Sequence, residues 1–236
     1  ALIACVLLSS RALSPMIQVA SLMTQYQQAR SALGALDGLT SKPSEYRQEK
    51  IHIGLGGKID HLESRDLSFS YNEGTRVLKS LSLSLKAGDK VGIIGKIGSG
   101  KSSLMRLLMG FGQAESGQLL INGFDLPHLD LSELRSEIGY VPQEIMLFKG
   151  TLRDNIVMKS PQVSQESIMQ ALEVSGLSGF VQNHPMGLDM PIGESGKGLS
   201  GGQKQCVAIA RSLINEPSLL LFDELTSSMD NQSEQV

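Results

Sequence analysis

Hydrophobic positions near the start of the chain recur at helical intervals. Leu13, Ile17, Ala20, Met23, Leu33 and Leu36 share one stripe, which polar Gln27 and Arg30 interrupt. This spacing predicts a helix over residues 2–36, with Pro15 inside it as a possible kink and Asp37-Gly38 as its stop. At 1.5 Å per residue it would reach ~50 Å, more than a small domain spans. Such a helix would project from the body or pack on partners. Thr40–Gly57 is polar, contains Pro43 and reads as a linker.

Strand patterns follow. Lys58–Leu62, Leu67–Tyr71 and Val77–Leu85 are predicted strands, and in the last Leu81, Leu83 and Leu85 alternate with Ser82 and Ser84. Asn72-Glu73-Gly74 and Ala87-Gly88-Asp89 separate them as turns. Val91–Ile94 is an apolar run with strand character, and Ser103–Met109 a helix that Gly110–Gly112 ends. Gly117–Ile121 is a strand closed by Asn122-Gly123, and Ile138–Val141 another, ended by Pro142. The texture then turns helical from Thr151 to Asn183, where Ser164 caps a helix reaching Val174. Ser200–Ile214 predicts a further helix, and Ser218–Phe222 a buried strand ending in Asp223-Glu224. Strands broken by helices, with one helix-rich insertion, predict an α/β fold.

Composition changes this picture little. The 236 residues are 41% apolar and 19% charged, as in folded soluble domains. A net charge of −3 and a pI near 5.8 disfavour nucleic acid as the main partner. Cys5 and Cys206 lie too far apart in sequence to suggest a disulfide framework, which fits a reducing compartment. Residues 1–40 carry three charged residues, Arg11, Arg30 and Asp37, which marks a composition boundary. Ala1–Leu8 is apolar but short of the ~20 residues a membrane span needs. It reads either as a helix start or as the end of a membrane helix.

Chemistry concentrates in three stretches. Gly95-Lys96-Ile97-Gly98-Ser99-Gly100-Lys101-Ser102 fits G-x-x-x-x-G-K-[ST] between a predicted strand and a predicted helix. Glycines let successive N–H groups turn towards phosphate oxygens, and the helix start at Lys101 adds the positive end of its dipole. Lys101 can reach β- and γ-phosphates, the Ser102 hydroxyl can ligate Mg2+, and Ser103 opens the helix beside them. Leu219–Glu224 is an apolar strand whose end offers Asp223 for Mg2+ and Glu224 to take a proton from attacking water. Leu199-Ser200-Gly201-Gly202-Gln203 forms a second anion cradle, with Ser200 as helix cap and two glycines baring N–H groups. One phosphate chain does not need two cradles from one molecule. The second therefore predicts a nucleotide held by another copy.

These three stretches, in this order, resemble the ATPase domain of ATP-binding cassette (ABC) transporters over about residues 58–236. The resemblance implies a P-loop NTPase core with an N-terminal antiparallel β subdomain and a helical subdomain, about residues 144–205. Tyr71 resembles the A-loop aromatic that stacks on adenine, with Val77 nearby, and Gln143 resembles the Q-loop glutamine that senses Mg2+ and the γ-phosphate. The nucleotide set so implied is Tyr71, Val77, Gly95, Ile97, Gly98, Ser99, Gly100, Lys101, Ser102, Ser103, Ser200, Gly201, Gly202 and Gln203. Ser102, Gln143 and Asp223 would serve the metal, and Glu224, Lys101 and Gln143 the reaction.

Leu147–Ile156 resembles the segment that meets transmembrane coupling helices, Pro191–Gly196 the exporter X-loop, and Ser227–Asp230 the D-loop. Residues 10–15 and 26–30 resemble the end of the last transmembrane helix of type I secretion exporters, which include bacteriocin and RTX-protein exporters. On that reading 1–40 ends a transmembrane domain, 41–57 is a linker and 58–236 is the ATPase domain. Expected partners are a second ATPase domain in a homodimer, the transmembrane domain of the same polypeptide, and the membrane-fusion and outer-membrane components of type I secretion. The expected place is the cytoplasmic face of the bacterial inner membrane, with ATP and Mg2+ bound. Leu225 departs from the family's usual proline. His52, His61, His128 and His184 all precede the 219–224 strand, so none is the H-loop histidine, and the last strands would also lie beyond Val236. Alternative readings are an ATP-dependent dimerisation clamp with little turnover, or a soluble ABC ATPase outside transport.

Overall fold

A computed structural model describes residues 2–42, 52–71, 76–158, 160 and 162–224, with backbone alone over 2–10 and 12–14. The chain divides into residues 1–50 and 51–236. In the first unit, α1 runs Leu2–Thr40 with Pro15 inside it. The expected stop at Asp37-Gly38 does not form. Gly38 is not among the glycines with positive φ, and a glycine ends a helix only by turning left-handed. The helix ends instead where the Thr40 hydroxyl donates to Leu36 O at 3.1 Å. No helix among the described residues is long and apolar enough to cross a membrane.

The second unit opens with an antiparallel sheet of order β2-β1-β3-β4. Two predicted strands merge here into one, β1 (His61–Ser70). The pairing with β2 (Arg76–Lys86) slips between Ser64 and Leu67, where Asp66 sits at φ 47, so a bulge stands where a break was expected. Lys58–Asp60 lies outside the ladder and is held by Asn122, whose amide donates to Lys58 O and accepts from Asp60 N, both at 2.9 Å. β3 (Ser116–Ile121) turns through Asn122-Gly123, both at positive φ, into β4 (Phe124–Asp125). The core beneath joins Leu67, Leu119 and Ile121 of the sheet to Leu104 and Leu107 of α2 (Lys101–Leu108) and Leu134 of α3 (Leu131–Ser136).

A parallel pair, β5 (Ile138–Val141) and β8 (Leu219–Phe222), lies in register from Ile138↔Leu219 to Val141↔Phe222. Val91–Ile94, predicted as a strand, joins no ladder among the described residues, and Ile94 is 98% exposed. An apolar run has strand character on its own, but a strand is made by hydrogen bonds to a neighbour, and no described strand supplies them. Between β5 and β8 stands the helix-rich insertion: β6 (Gly150–Thr151), α4 (Leu152–Val157), α5 (Gln165–Val174), α6 (Ser178–Asn183), β7 (Pro191–Ile192) and α7 (Gly201–Leu213). Ser164 caps α5 as expected, accepting from Ser167 N at 3.0 Å. Leu152, Ile156, Leu172, Val207 and Ile214 form its own core.

Candidate functional site

The glycine loop ends on Gly100, the N-cap of α2, at φ 94. A Cβ there would stand 2.9 Å from Leu78 Cδ2 and 3.0 Å from Val77 Cγ1, so both conformation and space require glycine. At Gly95 the constraint is one of space alone, since a Cβ would meet Ser99 Oγ at 2.6 Å and Ser99 Cβ at 3.3 Å. Ser99 N donates to Lys96 O at 3.1 Å and closes the turn. The Lys101 ammonium donates to Gly95 O at 3.0 Å and lies 3.4 Å from Lys96 O. It therefore folds back over the loop that a phosphate would enter. Ile97 at the loop tip is fully exposed.

Tyr71 stands at the end of β1 with its ring edge-on to Phe69, centroids 4.9 Å apart. Its hydroxyl shares a 3.0 Å hydrogen bond with Ser103 Oγ, so two predicted nucleotide residues are joined at the start of α2. The far end of that helix is also held. Arg135 of α3 donates Nε to Met109 O at 2.9 Å and stacks over the Phe111 ring at 4.3 Å. A cation on the last carbonyls of a helix satisfies orphan acceptors and complements the dipole.

The ends of β5 and β8 bring together the other predicted groups. Asp223 is 6% exposed, and its backbone N–H extends the ladder to Val141 O at 3.0 Å. Glu224 turns out at φ 53, and its Oε2 accepts from Gln143 Nε2 at 2.5 Å. Tyr140, one residue before the end of β5, has its hydroxyl pKa raised by burial and further by the Asp223 carboxylate, with Arg106 opposing.

Ser200 caps α7 in a reciprocal box. Its hydroxyl accepts from Gln203 N at 3.2 Å, and Gln203 Oε1 accepts from Ser200 N at 2.9 Å. Around Gly202 a Cβ would meet nothing within 4 Å. No hydrogen bond among the described residues ties 200–203 to the 95–102 loop. Glycine is a poorer helix former than alanine, and no neighbour among the described residues requires it at 202.

Two features were not anticipated from sequence. One is the buried Asn155 with its partner Arg211, for which no local pattern signals a long-range contact. The other is the capping box of Thr151 and Asp154, which the pattern [ST]-x-x-[DE] could have revealed.

The family of ABC transporters matches residues 78–227. The chain belongs to the ABC transporter family. The match spans the glycine loop, Gln143, the 199–203 segment and the 219–224 strand. This ABC transporter chain is 37% identical over 237 residues to the leukotoxin translocation ATP-binding protein LktB of Mannheimia glucosida, covering all of this chain and 33% of that protein. It is 37% identical over 231 residues to the toxin RTX-III translocation ATP-binding protein of Actinobacillus pleuropneumoniae, covering 98% of this chain and 32% of that protein. The chain thus spans about a third of the length of these relatives. Among solved structures, a bacterial Atm1-family ABC exporter with ATP bound superposes with a TM-score of 0.82 at 31% identity, covering 96% of this chain and 40% of that one. The α/β nucleotide-binding fold and the resemblance read from the motifs are borne out.

Proposed function

We propose that this chain is the ATP-hydrolysing motor of an exporter of the type I protein-secretion kind. Two copies sandwich two ATP molecules, each gripped by Lys101 and Ser102 of one copy and by Ser200–Gln203 of the other. The observation that carries the reading is the junction at the ends of β5 and β8, where Gln143 and Glu224 share a hydrogen bond beside buried Asp223. Strand carboxyl ends are where open α/β sheets place reacting groups. The open space around Gly202 supports the shared site, because bare backbone at a helix start suits a ligand that reaches it from outside.

In the reaction Lys101 leaves its loop carbonyls for the β- and γ-phosphate oxygens. Glu224 orients the attacking water and takes its proton as the oxygen–phosphorus bond forms and ADP leaves. Tyr71 stacks on adenine with Val77 alongside. The Ser102 hydroxyl and the Asp223 carboxylate are hard oxygen donors suited to Mg2+, with Gln143 within the same group. Among the described residues no cluster of three His, Cys, Asp or Glu exists, and Mg2+ typically takes one or two carboxylates plus phosphate oxygens and water. When bound, the ion neutralises charge developing on the phosphates.

Residues 1–40 are read as the end of a transmembrane domain, 41–57 as linker and 58–236 as the ATPase domain, with its helical subdomain over about 144–205. The motor works at the cytoplasmic face of the inner membrane, with the transmembrane domain of its own polypeptide and the membrane-fusion and outer-membrane components of secretion. Membership of the toxin-translocation relatives supports this placing. The test compares ATP turnover of the full-length protein with Glu224→Gln. A loss of at least about 10²-fold with ATP binding retained is expected for removal of a general base. An unchanged rate removes Glu224 from its role, and a wild type that binds ATP without turnover turns the reading to a dimerisation clamp.

A further inference from the structure

Asn155, in α4, is 1% exposed and makes three carboxamide hydrogen bonds to the loop before it. Its Oδ1 accepts from Phe148 N at 2.8 Å, while Nδ2 donates to Phe148 O at 2.9 Å and to Thr151 O at 3.0 Å. The segment from Phe148 to Asn155 is therefore closed on itself by one side chain. Arg211, near the end of α7, then ties that closed segment to its own helix. Its Nε donates to Asn155 O at 2.8 Å, Nη1 to Met146 O at 3.2 Å, and Nη2 reaches Asn155 Oδ1 at 3.4 Å.

No carboxylate faces this guanidinium among the described residues, and burial lowers its pKa from the ordinary value. A partly buried cation without a counter-charge costs free energy, and a well-packed apolar side chain would often be as stable. Packing does not need Arg211 either, since Val207, Ala210 and Ile214 already join α7 to the apolar core of this region. What a guanidinium offers that an apolar residue cannot is a rigid fork of donors that spans several carbonyl oxygens at once. The segment it grips begins three residues after Gln143, and the helix that carries it begins at the Ser200 cap.

We infer that Arg211, acting through Asn155, is a positioning residue: it locks the segment following Gln143 to the helix bearing 200–203, so that a displacement of the one carries the other. The inference rests on the ATPase reading given above. If it holds, the segment leading from the γ-phosphate sensor and the cap offered to the opposite nucleotide are one mechanical body, in which hydrogen bonds fix an alignment that apolar contact alone leaves free to slide.

The experiment uses the full-length protein and the variants Arg211→Met and Arg211→Lys. Arg211→Met should melt close to wild type and bind a fluorescent ATP analogue within about twofold, because the Lys101 loop is untouched. Its kcat should fall at least about tenfold with KM little changed, since misplacing a reacting group by about 1 Å can cost 10²-fold. Arg211→Lys keeps one donor and should lie between. A second readout does not need turnover: spin labels at Lys149→Cys and Lys197→Cys, with Cys5 and Cys206 replaced by Ala. Their distance distribution should be narrow in the parent and broad in Arg211→Met. Wild-type kcat or a wild-type width in Arg211→Met overturns the inference. If Arg211→Met fails to fold, Arg211→Lys carries the same comparison, and parental values in it overturn the inference equally. A parent without ATP turnover sinks the ATPase reading alone, while the label widths still decide the link.

Discussion

Gln143 Nε2 and Glu224 Oε2 are 2.5 Å apart, joining the second residue beyond β5 to the second residue beyond β8. The amide thereby holds one of the two carboxylate oxygens in place, and it fixes a side chain whose backbone is left-handed at φ 53. Gln143→Ala should leave ATP affinity within about threefold and lower kcat by about tenfold, less than the roughly 10²-fold or more that the general base itself contributes. Phosphate release against nucleotide binding separates the two effects. An equal loss of both would assign Gln143 to binding instead.

The Lys101 ammonium rests on Gly95 O at 3.0 Å and near Lys96 O at 3.4 Å. Hydrogen bonds to charged groups contribute roughly 1.5–3 kcal/mol each, so Lys101→Ala should weaken ATP binding by at least about tenfold. Titration of a fluorescent ATP analogue measures this. An adenosine analogue without phosphates should bind the variant and the parent alike.

Gly117 tests the sheet that carries Tyr71. It lies at φ 82, and a Cβ would fall 2.4 Å from both Arg65 O and Asp66 O, which are backbone atoms of the β1 bulge. Gly117→Ala should therefore cost at least about 2 kcal/mol, from backbone strain and forced separation of β1 and β3. In a domain of this size that lowers the melting midpoint by roughly 4–8 °C. A scan of the purified variant shows it directly, and an unchanged midpoint would contradict the close approach.

Asp154 gives a pH dependence with a definite sign. The Thr151 backbone N–H, followed by its hydroxyl, holds the Asp154 carboxyl below its usual value of 3.8. A depressed folded pKa adds stability that is present above the unfolded value and lost as pH falls through the folded one. Asp154→Asn should accordingly destabilise α4 at neutral pH, and the gap to the parent should close as pH drops below about 3.8. Urea midpoints across that range test the convergence. A gap that stays constant would mean that the carboxylate charge is irrelevant.

Much of this site was legible because its chemistry is local. Gly95–Ser102 fits an anion-loop pattern by its spacing and the helix that follows it, and Ser200 and Ser164 declare helix starts that the structure reproduces. Relations across the chain were not legible. The break expected near residues 63–66 is a bulge, because whether a strand ends or merely slips depends on the partner's register. Val91–Ile94 has strand composition without strand bonds among the described residues, because pairing belongs to two segments and composition to one. The Asp37-Gly38 stop failed for the opposite reason. Glycine permits a left-handed turn but does not impose one. Arg211 reads as one more cation on a helix until Met146 and Asn155 are placed beside it.

The helix that begins with Lys101 is pinned at its front by Tyr71 on Ser103 and at its rear by Arg135 on Met109. A rod fastened at both ends can neither slide along its axis nor rotate freely about it. On the reading proposed above, an arriving triphosphate would meet a helix already fixed in place, and little of the binding energy would be consumed in docking the rod. In the proposed two-copy arrangement, what remains would be free to draw the copies together.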